Sequence, residues 1–115
     1  PFGVFESKIF SYKKQKIEEK KYTKWFDYDK IKNSPCVRTR RQGDYLTVNS
    51  EGGRKKLNRI FIDEKIPAEM RDRLPVVAVG SEILWIPGGR MNEKYKITST
   101  TGRVLELHYQ GGALA

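Results

Sequence analysis

The side chains that could support nucleophilic catalysis are few in this sequence. Cys36 is the single cysteine and His108 the single histidine, and they are far apart along the chain. Nucleophilic catalysis needs an activated thiol or hydroxyl with a base within reach, and a structural zinc site usually needs four Cys or His ligands at short paired spacings. The sequence therefore predicts no catalytic residue and no metal site. We assign structural or incidental roles to both residues, since cysteine commonly packs as a small hydrophobe.

Basic residues are the stronger functional candidates. Residues 38–59 contain seven Lys or Arg and two acidic residues, whereas residues 60–115 contain seven of each. A local excess of positive charge attracts polyanions such as nucleic acid or an acidic membrane, and the planar guanidinium of arginine suits phosphate oxygens. A run of charge is often only a solvated face, so composition leaves both interpretations open. The candidate phosphate-binding residues are Arg38, Arg40, Arg41, Lys55, Lys56 and Arg59.

Two further motifs have a functional and a structural interpretation. Residues 50–55, Ser-Glu-Gly-Gly-Arg-Lys, precede a predicted helix as a phosphate-binding loop would. They are not a Walker motif, and a flexible turn is the simpler interpretation. Among the aromatic residues, Trp25 and Tyr28 could stack on RNA bases, whereas Trp85 lies within an apolar run and is expected in the core.

Length and composition indicate one globular domain over residues 1–115. Hydrophobic residues make up 37% of the chain and charged residues 32%, which suffices for one buried core. No segment is apolar for long enough to span a bilayer, so we expect no membrane partner. The lone cysteine excludes an internal disulfide and suits a cytoplasmic location. Because the chain begins at Pro1 rather than at methionine, we expect it to be part of a longer protein.

Hydrophobic periodicity predicts an α+β fold of mostly antiparallel strands, a small β-sandwich or partial barrel with one or two short helices. In the N-terminal part, alternating apolar residues predict strands around residues 5–9, 25–28 and 45–48. The Lys-rich stretch 13–21 is expected to be a solvated turn or a short helix, and residues 49–53 have the composition of a turn.

Two helices and two hairpins are predicted for the rest of the chain. An amphipathic helix of about ten residues places Leu57, Ile60 and Phe61 on one stripe and Lys55 and Lys56 on the remaining surface.

The second helix covers residues 68–73, between two prolines. Residues 76–79 and 83–86 are expected to form a hairpin that is buried on both faces. Residues 95–98 and 104–107 are expected to form another hairpin, and residues 110–115 a frayed tail.

Three motifs occur in order along the chain: Arg-Thr-Arg-Arg-Gln-Gly-Asp at 38–44, Phe-Ile-Asp-Glu-Lys-Ile-Pro at 61–67, and Ile-Leu-Trp-Ile at 83–86, followed by Arg90. Together they resemble the C-terminal region of tRNA(Ile)-lysidine synthetases. The resemblance covers roughly residues 22–107, within a family-like core assigned to 22–109, while residues 1–21 are unassigned. The sequence departs from the family before Arg90, where an aromatic residue is more usual, so Arg90 is not included among the candidate RNA-binding residues.

The resemblance implies an enzyme that uses ATP and Mg²⁺ to activate the wobble cytidine of tRNA(Ile) and then joins lysine to it. The family's ATP-binding Ser-Gly-Gly-x-Asp-Ser loop belongs to an N-terminal α/β domain and is absent here, so this chain is expected to be non-catalytic and to need no cofactor. By resemblance it is a β-rich module, similar to one in the phenylalanine-tRNA synthetase β chain, that helps to hold the tRNA.

The expected partners are tRNA(Ile) and the catalytic domain of the same chain. The alternative is a structural domain that packs on that catalytic domain without touching RNA. A third possibility, an independent enzyme, has no supporting set of residues in the sequence.

Overall fold

The computed structural model describes residues 3–17 and 20–111, which form two compact units. The first unit combines the described residues of 1–32 and 95–115, and the second is residues 33–94. Each unit contains one β-sheet. The predicted α+β class, with mostly antiparallel strands and short helices, is confirmed. Within the described ranges, no helix is long and apolar enough to cross a membrane.

Eight strands and two α-helices make up the regular structure of the described residues. The strands are β1 Val4–Ser11, β2 Thr23–Asp27, β3 Cys36–Arg38, β4 Tyr45–Thr47, β5 Arg54–Lys56, β6 Val76–Val79, β7 Glu82–Trp85 and β8 Arg103–Gln110. The α-helices are α1 Leu57–Asp63 and α2 Ala68–Arg71, and short 3-10 helices cover Tyr28–Lys30 and Glu93–Tyr95.

The sheet of the first unit is antiparallel, with the order β1-β8-β2. Strand β8 is central because β1 pairs with it along its whole length, from Val4 opposite Gln110 to Ser11 opposite Arg103, while β2 pairs with its other edge. Residues 1–21, which the resemblance leaves unassigned, therefore contribute one strand of this sheet. The described residues of 13–21 contain no helix: Lys14 lies in a bend and Lys21 in a turn.

The predicted hairpin between residues 95–98 and 104–107 is wrong. Tyr95 ends a 3-10 helix, residues 96–98 have no regular structure, and both edges of β8 are already occupied by β1 and β2. The backbone N–H of Thr98 donates to the Thr101 hydroxyl at 2.8 Å, and that hydroxyl donates to the buried carboxylate of Asp27 at 3.0 Å. These side-chain hydrogen bonds hold the segment as a turn, which competes with strand pairing.

The sheet of the second unit has the order β3-β6-β7-β4-β5. The predicted hairpin of β6 and β7 is confirmed, and it turns at Gly80 and Ser81. Gly80 has a φ of 62°, a left-handed conformation that glycine adopts without the steric cost of a Cβ atom. All strand pairs in this sheet are antiparallel except the single pairing of β4 with β7, where Tyr45 lies opposite Glu82.

Helix α1 covers one face of the second unit's core. It contributes Leu57, Ile60 and Phe61, so the predicted apolar stripe is confirmed. The predicted helix was too long, because Lys55 and Lys56 belong to β5. These two residues pair with β4, and the N–H of Leu57 donates to the carbonyl of residue 44 at 2.9 Å, so the chain stays extended until the helix begins. The buried cluster consists of Leu46, Leu57, Ile60, Phe61, Val76, Ala78, Ile83 and Ile86.

Other predicted boundaries change by a few residues. Helix α2 ends at Arg71 rather than at residue 73. Strand β8 continues to Gln110, which the frayed tail was predicted to include, and residues 112–115 of that tail lie outside the described residues. Strand β3 was not predicted, because three residues are too few to establish an alternating pattern.

Trp85 is expected to contribute to stability rather than to RNA binding. Its side chain is 0% exposed, so Trp85→Ala should lower the free energy of unfolding by roughly 3–5 kcal/mol, as large core truncations do. Chemical denaturation measures this change, and tRNA affinity is measured under conditions where the variant is folded. If affinity fell while stability stayed unchanged, Trp85 would be a stacking residue and the core assignment would be wrong.

Cys36 is exposed on strand β3 rather than packed as a small hydrophobe. Cys36→Ser exchanges one small exposed side chain for another, and exposed substitutions usually change stability by less than about 0.5 kcal/mol. We therefore expect unchanged unfolding and unchanged tRNA affinity. A clear loss in either measurement would contradict an incidental role for the thiol.

Candidate nucleic-acid interface

Arg38 is a structural residue of the second unit, because its guanidinium is used inside the fold. Its side chain is 9% exposed and that of Asp44 is 1% exposed. The two terminal nitrogens of Arg38 donate to both carboxylate oxygens of Asp44 at 2.8 and 2.9 Å, and also to the carbonyls of Thr39 and Gly80. This bidentate bond and the attraction of the carboxylate raise the pKa of Arg38 above its usual value.

Arg40 lies over the exposed side of α1 and has two side-chain partners. Its Nε donates to the carboxylate of Asp72 at 2.8 Å, and one terminal nitrogen donates to the side chain of Asn58 at 2.9 Å. The Asp72 side chain is 76% exposed, so water competes for this ion pair and its contribution to stability is small.

Lys55 and Arg59 share one carboxylate on α1. Lys55 donates to Asp63 at 2.7 Å, and the Nε of Arg59 lies 3.1 Å from the other oxygen of the same carboxylate. The hydrogen bond from Lys55, together with the charge of Arg59, lowers the pKa of Asp63. Two cations therefore face one anion, which leaves a net positive charge on this side of the helix.

Arg41 and Lys56 are exposed, and their charged groups make no hydrogen bond or ion pair with the described residues. Both lie next to Asp44 in the fold. The backbone N–H of Arg41 donates to the Asp44 carboxylate at 2.7 Å, and Lys56 lies opposite Tyr45 in the pairing of β4 with β5. Arg41 precedes the turn at 49–53 and Lys56 follows it, and the fold brings both to the point where β5 leads into α1.

The fold gathers five of the six predicted residues around the start and the exposed side of α1, and it buries the sixth. The gathered residues are Arg40, Arg41, Lys55, Lys56 and Arg59. Arg54 is one of the seven basic residues of 38–59 but not one of the six candidates. It lies on β5 before Lys55, and its guanidinium carbon is 4.6 Å from the centroid of the Tyr45 ring. Because side chains alternate along a strand, Arg54 and Lys56 lie on the same face of β5.

The segment 50–55 has the hydrogen bonds of a turn. The N–H groups of Glu51 and Gly53 donate to the side-chain oxygen of Asn49 at 3.0 and 2.9 Å. A phosphate-binding loop needs such amides directed at the ligand. Strand β5 also separates this segment from α1, so the simpler interpretation as a turn is the one that the structure favours.

The two aromatic residues considered for base stacking lie in the first unit. The indole N–H of Trp25 donates to Glu106 at 2.9 Å, and its ring contacts Phe10 edge to face. The guanidinium carbon of Arg103 lies 5.0 Å from the ring centroid of Tyr28, so a cation already occupies that ring face.

Comparison with known proteins gives consistent matches. The family model described as "TilS substrate C-terminal domain" matches residues 36–107. The tRNA(Ile)-lysidine synthase of Caldanaerobacter subterraneus subsp. tengcongensis is 50% identical over 88 residues, which cover 76% of this chain and 19% of that protein. The enzyme of the same name from Clostridium perfringens (strain 13 / Type A) is 38% identical over 110 residues, 95% of this chain and 23% of that protein.

A crystal structure of a TilS C-terminal domain has the same fold. It superposes with a TM-score of 0.75 at 31% sequence identity, and the match covers 93% of this chain and 82% of the other. The chain spans only about a fifth of the length of the curated relatives that it matches. By its sequence and its fold, the chain belongs to the TilS substrate C-terminal domain family.

Proposed function

We propose that this chain is the tRNA-binding C-terminal domain of a tRNA(Ile)-lysidine synthase, and that it binds tRNA through phosphate contacts. Its relatives carry that enzyme name. In this proposal, ATP activation of the wobble cytidine and ligation of lysine take place in the catalytic domain of the same protein, with ATP and Mg²⁺ bound there. The chain supplies binding energy and orientation, and its proposed tRNA partner implies that it acts in the cytoplasm.

The observation that carries the proposal is the pair of unpartnered cations, Arg41 and Lys56, beside the partly neutralised side of α1. A charged group that is exposed and has no carboxylate partner can bind a phosphate without first breaking an ion pair. Lys55 and Arg59 share Asp63 as their ion-pair partner. Because exposed ion pairs are weak, a phosphate can replace Asp63 as the partner of one of these cations with little loss of free energy. Contacts of this kind position RNA by its backbone and carry no sequence information directly.

Recognition of shape rather than sequence fits this arrangement. The deep and narrow major groove of helical RNA does not admit side chains, so a rigid cationic surface reads the spacing of phosphates instead. Arg38 is not assigned a phosphate contact in this proposal, because its guanidinium is bound inside the fold. Its part is to fix the segment that presents Arg40 and Arg41.

The alternative function is a domain that packs on the catalytic domain, with the same cations serving only solubility. Ion pairs such as those of Arg40 with Asp72 and of Lys55 with Asp63 are compatible with a solvated surface. Direct binding of tRNA by the 115-residue chain, without the rest of the protein, distinguishes the two functions.

The salt dependence of tRNA affinity tests the proposed contacts. Each neutralised phosphate contributes about −0.7 to −0.9 to the slope of log affinity against log salt concentration. Replacing Lys55 and Lys56 by Gln should therefore flatten the slope by roughly one to two units if both contact phosphate. Of the single variants, Lys56→Gln should have the larger effect, because Lys55 is already paired with Asp63.

The matched control replaces Lys94 and Lys96 by Gln. These lysines lie in the part of the sequence where acidic and basic residues are equal in number, so this variant should retain most of the wild-type slope. Equal slopes for the wild-type chain and the Lys55/Lys56 variant would mean that these lysines are only part of a solvated face. The packing function would then be the better account.

The role assigned to Arg38 makes a separate prediction. Arg38→Met should lower the free energy of unfolding by roughly 3–5 kcal/mol, because it leaves the buried Asp44 carboxylate without its cation. The double variant Arg38→Met with Asp44→Asn should be less destabilised, since no unpaired charge remains. Both values come from denaturant titration. Near-wild-type stability of Arg38→Met, combined with a flatter salt slope for tRNA, would show that Arg38 contacts phosphate instead.

A further inference from the structure

The face of the first unit's sheet that carries Trp25 contains an open groove of two adjoining depressions, of about 460 and 250 Å³. It runs between β1, the start of β2 and the centre of β8. Thr23, Lys20 and Glu106 belong to both depressions. The larger one is also lined by Glu6, Ser7, Lys8 and His108, and the smaller one by Lys16 and Trp25.

Trp25 is held firmly in this groove. Its indole N–H donates to Glu106, and its ring packs edge to face on Phe10 with the centroids 5.0 Å apart. The side chain is only partly buried, unlike the fully buried Trp85. A fixed and accessible indole is a suitable platform for a planar base, because its conformation costs no further entropy when the base stacks.

Two lysines line the depression that contains the indole. Residues 8–24 contain seven Lys and two acidic residues, an excess as large as that of residues 38–59. Among the described residues, the depression that contains Trp25 is lined by Lys16, Lys20 and the acidic Glu106. The carboxylate of Glu106 is already engaged by the indole and by Lys8, whose Nζ lies 3.5 Å away. Among the described groups that line this depression, two lysines therefore face a ligand beside one carboxylate that is already engaged.

Polar groups at the floor of the groove can bind a sugar or a phosphate. The Thr23 hydroxyl and the Nδ1 of His108 are hydrogen-bonded at 2.6 Å on neighbouring strands. Their mutual bond fixes the imidazole so that its other nitrogen is available to a ligand. Glu6 lies opposite His108 in the pairing of β1 with β8, and its negative charge disfavours a phosphate at that end, so the phosphate belongs near Lys16 and Lys20.

We propose that this groove binds an unpaired nucleotide of RNA, with the base stacked on Trp25 and its phosphate beside Lys16 and Lys20. The combination of an accessible aromatic ring, lysines and hydroxyl groups is typical of proteins that bind single-stranded RNA. The inference rests on the proposed tRNA-binding function and adds a second contact, in the other unit, that differs in kind from the phosphate contacts around α1. It predicts a preference for RNA with an unpaired segment over a fully paired duplex.

Tryptophan fluorescence provides a direct test, because the chain has two tryptophans and Trp85 is fully buried. The probe is a short single-stranded oligouridylate, which has little stacking of its own. We expect it to quench the emission of Trp25, whereas a blunt-ended RNA duplex and inorganic phosphate should leave that emission nearly unchanged. Equal quenching by duplex and single strand, or no quenching by the single strand, would overturn the proposal. If inorganic phosphate without a base quenched the emission, the groove would be an anion site and not a site for a stacked base.

Variants separate stacking from charge. With a labelled oligouridylate and an anisotropy readout, Trp25→Leu should weaken binding by roughly tenfold, and Trp25→Phe, which retains an aromatic ring, should weaken it less. The emission of Trp85 in Trp25→Leu reports whether that variant is folded. Lys16→Gln with Lys20→Gln should flatten the salt slope for the oligonucleotide by roughly one unit.

The Lys55/Lys56 variant is the cross-control, because those lysines lie in the other unit. It should change the salt slope for tRNA and leave the quenching of Trp25 by oligouridylate intact. If the groove proposal fails, Trp25→Leu binds the oligonucleotide as the wild type does, whatever the Lys55/Lys56 variant shows. If the phosphate contacts around α1 fail, the Lys55/Lys56 variant retains its slope for tRNA while quenching persists.

Discussion

The second unit depends on a single buried carboxylate. Asp44 accepts two hydrogen bonds from the Arg38 guanidinium and one from the backbone of Arg41, and its own carbonyl accepts the N–H of Leu57 at the start of α1. Arg38 also binds the carbonyl of Gly80 in the β6–β7 turn. A buried ion pair is favourable only when hydrogen bonds satisfy its remaining atoms. Here the satisfying groups come from the 39–44 loop and the hairpin turn. With the backbone bond from Leu57, the Arg38–Asp44 pair connects β3, that loop, α1 and the turn.

The positive charges around α1 are partly compensated by nearby carboxylates, which reduces the repulsion between these cations. Asp63 and Asp72 face Lys55, Arg59 and Arg40 across exposed ion pairs, which keeps like charges from destabilising the free protein. The lowered pKa of Asp63 keeps its carboxylate ionised to a lower pH than that of an ordinary aspartate. Since exposed ion pairs are weak, the same contacts can rearrange when a stronger anion approaches. Stability without RNA is thus compatible with the proposed binding of RNA on the same surface.

Sequence patterns predicted the parts of the fold that local residues determine. The apolar run 76–86 predicted its hairpin, and the spacing of Leu57, Ile60 and Phe61 predicted the buried side of α1. Strand β5 was not predicted, because Arg-Lys-Lys has no strand pattern and becomes a strand only by pairing with β4. Residues 95–98 have an alternating pattern, but the distant Asp27 and the edges already filled on β8 decide their conformation.

The candidate interface, like the fold, was predicted only in part. Six basic residues in one part of the sequence indicated where the charge collects, but not which charges are compensated. The burial of Arg38 was not foreseeable, because arginine is mostly exposed and its partner Asp44 had no distinguishing pattern. The ion pairs of Lys55 and Arg40 depend on which acidic side chains the fold brings near. Such partners follow from tertiary packing rather than from spacing along the chain.

The position of β8 between β1 and β2 determines where this module can be cut from a larger protein. The family match covers residues 36–107, and those limits exclude β1 and β2 and end inside β8. An excised piece with those limits would expose two long unpaired edges and the apolar side of β8, a template for aggregation. A fragment whose first and last residues were chosen from sequence similarity alone would therefore divide a cooperative sheet. A fragment that begins before Val4 keeps the sheet whole.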